Sequence, residues 1–144
     1  NQLLKTDGSG NLGWATDQSG KVLQVVQQTK TGASSFSIAS GATYDHTQFA
    51  ASITPTSTSS KILAQIMVNH GTSSNQTAGC TVLPITFLHS PNSTSQQTYN
   101  LNYRHNSSST RTHYINRSHD DNNASGNGMG PRPMSTIILQ EVAG

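Results

Sequence analysis

The chain has 144 residues, of which Ser, Thr, Asn and Gln make up 62, while only 10% are charged and the formal net charge is +2. That length supports one hydrophobic core, and the low charge, with β-branched and aromatic residues gathered in short runs, excludes a disordered chain. Eight Lys and Arg against six Asp and Glu exclude a phosphate-tracking surface for nucleic acid, the single Cys80 excludes an intramolecular disulfide scaffold, and no apolar run approaches the roughly 20 residues of a membrane span.

Residues 1–26 come first and contain two similar units, Leu3-Leu4-Lys5-Thr6-Asp7-Gly8-Ser9-Gly10-Asn11-Leu12-Gly13-Trp14 and Asp17-Gln18-Ser19-Gly20-Lys21-Val22-Leu23-Gln24-Val25-Val26. Each sets a polar, glycine-bearing turn beside short apolar steps, which makes tight β-turns between brief strands and cannot close a core of its own. We read 1–26 as a connector and 27–144 as the head domain. With no initiator methionine, the chain is expected to be the terminal piece of a longer protein.

Beyond the connector, apolar runs of about four to eight residues alternate with Ser/Thr/Asn/Gly clusters, the pattern of strands rather than helices. The predicted strands are Val22 to Gln28, Ser35 to Ala39, Thr47 to Ile53, Lys61 to Asn69, Thr81 to His89, Thr98 to His105, Thr112 to Arg117 and Ser135 to Val142. In the fourth, Ile62, Ala64, Ile66 and Val68 share one face; in the sixth, Tyr99, Leu101 and Tyr103 point inward and Asn100, Asn102 and Arg104 outward. The last is apolar on both sides at its start, as a central strand covered on both faces would be. Pro55 and Pro84 require edge or bulge positions. Eight such strands predict an all-β fold, an antiparallel β-sandwich of jelly-roll type. Its long connections, 71–79, 90–97, 106–111 and 118–134, are where binding residues are expected.

Five segments, Leu4 to Trp14, Gly20 to Val26, Ser52 to Leu63, Tyr114-Ile115-Asn116-Arg117 and Ser135 to Glu141, occur in an order that resembles the C-terminal domain of tail-fibre and related virion structural proteins of tailed bacteriophages, particularly marine and cyanobacterial ones. The resemblance spans most of the chain. It implies a homotrimeric β domain on a virion appendage, assembled in the host cytoplasm, joined to other virion proteins on its N-terminal side. It also implies that this domain binds a host cell-surface polysaccharide or protein. The alternative is a structural module, in capsid decoration or tail assembly, without receptor binding. The two turn units are expected to pack around the three-fold axis, Leu12 and Trp14 burying against neighbouring subunits, because a lone hairpin is marginal in water.

The segment from Arg104 to His119 concentrates the candidate receptor contacts Arg104, His105, Arg111, His113, Tyr114, Asn116, Arg117 and His119. Arg with Tyr and Asn hydrogen-bonds and stacks on sugar hydroxyls or pairs with carboxylate and phosphate. We expect a hairpin turning at Asn106 to Thr110; the competing readings are a solvated hairpin and an intersubunit contact of Arg117 with a neighbour's Asp120. Six histidines contain no His-x-His and no zinc-type spacing, so polar strand-end histidines are expected and no metal or other cofactor. No catalytic residue is expected either. Asp120-Asp121 are adjacent and point apart in an extended chain, Asp45-His46 lacks a nucleophile-elbow motif, and Gly126 to Gly130 precedes prolines where a phosphate loop needs a helix.

Overall fold

The computed structural model describes residues 2–16, 20–72, 80–104, 106, 108–119 and 133–144; His105, Asp120-Asp121, the glycine segment 126–130 and residues 17–19 lie outside the described residues. Ten strands occur in the order β1 (Gln2–Thr6), β2 (Leu12–Thr16), β3 (Val22–Lys30), β4 (Ser34–Ile38), β5 (Thr43–Ile53), β6 (Lys61–Thr72), β7 (Thr81–His89), β8 (Gln97–Arg104), β9 (Arg111–Ile115) and β10 (Ser135–Val142). No helix occurs among the described residues, and every strand pair is antiparallel.

β1 and β2 form a separate hairpin, with Leu4 opposite Trp14 and Thr6 opposite Leu12. Its turn is held by Asp7, whose carboxylate accepts the Ser9 N–H at 2.8 Å and the Asn11 side-chain amide at 2.8 Å. Gly8 and Gly10 supply the positive φ angles of 84° and 92° that this turn needs. Leu4, Leu12 and Trp14 are left in solvent, Trp14 with 71% of its surface exposed.

The remaining eight strands pair as a nest: β3 with β10, β4 with β9, β5 with β8, and β6 with β7. β6 is the spine, 12 residues and so about 36 Å long at 3.3 Å per residue. Along one of its edges runs β7; along the other lie β10, opposite residues 61–67, and then β9, opposite residues 70–72. β3 and β4 continue the same broken line one strand further out. β5 and β8 make a two-stranded layer whose apolar face shares one core with the six-stranded sheet. The start of β3 and the C-terminal residues meet at one end, where Gly20 N–H donates to Ala143 O and Ala143 N–H to Lys21 O. We call this end proximal, because the β1–β2 hairpin joins there. The β4–β5 turn and the ends of β6 and β8 lie at the distal end.

The core is aliphatic apart from Phe49 in its proximal half, where Phe49, Ile53, Ile62, Ala64, Ile66, Ile137 and Leu139 are buried, each large side chain contributing about 1.5–3 kcal/mol. β5 reaches it through a bulge. His46 stands opposite Leu101 and Ala50 opposite Asn100, so residues 47–49 are extra, and both Tyr44/His46 and Ala51/Ile53 face inward although their numbers differ in parity. That shift explains why the alternation predicts a start at Thr47 when the strand begins at Thr43. β10 is central, as expected, but only its inner face is fully buried: Ile138 is half-buried, flanked in the plane by Gln27 and Gln65 with no further layer above it. Pro84 lies in β7, an edge strand among the described residues, and Pro55 in the β5–β6 turn.

Where β9 gives way to β10 and β3 to β4, two breaks coincide, and Asn116 fills them. In the left-handed region at φ 59° and only 1% exposed, it donates from Nδ2 to Lys30 O at 2.6 Å and Gly32 O at 3.2 Å and from its backbone N–H to Asn69 O at 2.8 Å. Its Oδ1 accepts the Ser135 hydroxyl at 2.6 Å, and Asn69 N–H donates back to that hydroxyl at 3.0 Å. At the proximal end a second buried network surrounds Glu141, whose carboxylate accepts Gln24 Nε2 at 2.6 Å and both the N–H and hydroxyl of Thr56 at 2.7 Å. Desolvation pushes this carboxyl up, but hydrogen bonding by Ser60, Gln24 and Thr56 outweighs it and holds its pKa down to about 2.

Candidate functional site

The expected hairpin between Arg104 and Arg111 is not one. β8 pairs with β5 and β9 with β4 and β6, so residues 105–110 cross from one layer to the other. Arg104, exposed and opposite Thr43, and Arg111, half-buried and opposite Ile38, stand on either side of the β4–β5 turn at the distal end. Further along β9 come His113, about 7 Å beyond Arg111, and Tyr114, about 10 Å beyond it.

Those candidates divide by face. Tyr114, opposite Gly71, is buried to 9% exposure beneath the Arg117 guanidinium, which stacks 4.5 Å from the ring centroid, while the exposed His119 meets the same ring edge-on at 5.7 Å. The chain fits closely here: a Cβ on Gly71 would come within 2.7 Å of Arg117 O, so this position admits glycine only. The result is a cation–aromatic platform at the side of the molecule, where residues 116–119 leave β9. Asn116 is not part of it; its side chain is spent inside the strand break. His105 lies outside the described residues.

His113 points the other way, into the distal half of the core. Its Nδ1 lies 2.9 Å from His70 Nε2, and its ring stacks on Phe36 at 5.6 Å. Phe36 also stacks on Tyr44 at 4.3 Å and meets His46 edge-on at 5.4 Å, and Tyr103 stacks on His70 at 5.7 Å. Burial, and secondarily the neighbouring His113, pushes the His70 pKa down to about 4; burial also lowers that of His46 and raises that of Tyr103 to about 12. These three are therefore neutral near pH 7, and the rings pack together as the aromatic half of the core. His46, buried, is no solvated strand-end histidine.

The sequence reading missed His70 and Tyr103 as partners of His113, and Tyr44 as the ring stacked on Phe36. The signal is present in the alternation: extending the Ile62, Ala64, Ile66, Val68 series by one step reaches His70. The Asp45-His46 pair splits between faces, Asp45 accepting the Asn102 side-chain amide while His46 Nε2 sits 3.5 Å from Ser34 Oγ inside, so no acid aligns that imidazole against a serine. Among the described residues no group of three or more His, Cys, Asp or Glu is placed to hold a metal ion. No protein-family model matches the chain, and no curated protein matches it.

Proposed function

We propose that the chain is the distal domain of a trimeric tailed-phage fibre or spike, a jelly-roll sandwich that attaches the virion to a host cell surface by multivalent binding and carries out no catalysis. The observation that carries this reading is the polarity of the molecule. A hairpin unable to bury its own apolar face joins one end, and the β4–β5 turn with Arg104 and Arg111 occupies the opposite end. The nested pairing of the eight head strands, the first with the last and so inward, is how a jelly roll is wound. Three-fold assembly around the hairpin would cover Leu12 and Trp14, and three weak sites on one body then act together. The contact residues in this reading are Arg104 and Arg111 at the tip, with Arg117 and His119 on the lateral platform, suited to hydroxyl, carboxylate or phosphate groups of a polysaccharide.

The test is binding of the fluorescently labelled chain to a panel of marine and cyanobacterial cells, with the Arg104→Ala/Arg111→Ala/Arg117→Ala triple variant alongside. We expect binding to at least one strain and its loss, ten-fold or more, in the triple variant. Binding unchanged in the variant removes these residues from the site. Absence of wild-type binding across the panel favours the alternative, a structural virion module whose uncovered apolar surfaces meet other virion proteins.

A further inference from the structure

β7 is the least covered strand of the sandwich. It pairs with β6 alone among the described residues, and the two-stranded β5–β8 layer meets it at Tyr99, whose hydroxyl lies 2.7 Å from His89 Nδ1. Register with β6 assigns its faces. Leu83, Ile85 and Phe87 stand opposite Val68, Ile66 and Ala64, so they continue the row of core side chains, yet Phe87 is 41% exposed. Its ring reaches only the rim of the second layer, 6.1 Å from Tyr99. Val82 and Leu88, opposite Asn69 and Leu63, stand on the other face, Leu88 56% exposed. Pro84 hinders main-chain pairing along this edge, but the side-chain rows of β7, which carry no Asp, Glu, Lys or Arg, stay open to apolar contact.

We propose that β7 docks against a second copy of this chain through the apolar side chains open on both of its faces, the core-facing row completing the sandwich interior from outside. The proposal rests on the trimeric reading above and names its contact surface in the head. The partner must bring apolar surface, since β7 offers no charge for a charged partner to complement. Area points to another copy. The apolar surface open on β7 is roughly 400 Å², short of the ~800 Å² each partner gives to a stable interface. With the hairpin's Leu3, Leu4, Leu12 and Trp14 the same chain offers roughly 900 Å², enough for that class of interface. Two uncovered apolar surfaces on one uncharged framework are both satisfied when copies associate along their length.

The test uses the full chain, its mass measured by light scattering after size exclusion at micromolar concentration, for wild type, Leu88→Glu and Phe87→Glu, one substitution on each face of β7. Leu88 is 56% and Phe87 41% exposed in the single chain, and far-UV circular dichroism checks that each variant keeps its β signal. The expected result is a mass of three chains for wild type and of one chain for both variants. A wild type of three chains with both variants still trimeric and folded overturns the β7 surface while leaving the trimer standing. A wild type of one chain overturns both.

Discussion

Asn116 shows how one residue type can be placed by backbone chemistry alone. The left-handed conformation admits Asn more readily than other non-glycine residues, and the same side chain then closes two adjacent strand breaks with three acceptor and donor contacts. Asn116→Ala leaves Lys30 O, Gly32 O and the Ser135 hydroxyl without these partners and adds left-handed strain, so it should cost about 3 kcal/mol, read as a lower urea midpoint at unchanged slope. The sequence offered Asn116 as a surface contact because Tyr-Ile-Asn-Arg sits in a basic, polar stretch. Nothing in local pattern distinguishes an asparagine facing a sugar from one facing two carbonyls brought from residues 30 and 32.

At the scale of elements, the two halves of the sandwich are built differently, and pH separates them. His70 has a folded pKa of about 4 against 6.5 unfolded, and His46 is lowered as well, so the unfolded chain binds protons first: stability present above about pH 6.5 is lost as pH falls toward 4. Glu141 has a folded pKa of about 2 against 4.5 unfolded; its contribution persists above about pH 4.5 and is lost on descent through pH 2. The melting temperature should therefore fall between pH 6.5 and 4, and His70→Phe should flatten that first stage and spare the second. A melting temperature independent of pH from 7 to 4 would contradict the placement of these histidines. Strand existence was legible in the sequence at every one of the eight head positions, since two-residue alternation needs no long-range information. Strand ends were less so: β6 runs to Thr72 and β5 begins at Thr43 because a bulge and a histidine continue each face where hydrophobic residues stop.

At the scale of the whole molecule, the pairing partners were not legible. Tyr99 to Arg104 and Thr112 to Arg117 read as the arms of a hairpin because they are neighbours in sequence, but the nested winding puts β8 and β9 in different sheets and joins β3 to β10 across more than 100 residues. The candidate site was therefore legible as a list of residues and not as a surface; the fold divides it into a distal pair, a lateral platform and an inward-facing, half-buried histidine. In the proposed reading the surfaces that remain open are covered by association of copies, and its central claim is that attachment works through that association. The most direct measurement titrates the labelled wild-type chain and the Leu88→Glu chain onto cells that bind the wild type and compares apparent affinities. Leu88 is remote from Arg104, Arg111 and Arg117 in the pairing of strands, so each site stays intact while its three-fold linkage is lost. The account predicts a loss of about 100-fold or more; equal affinity of the two chains would contradict it.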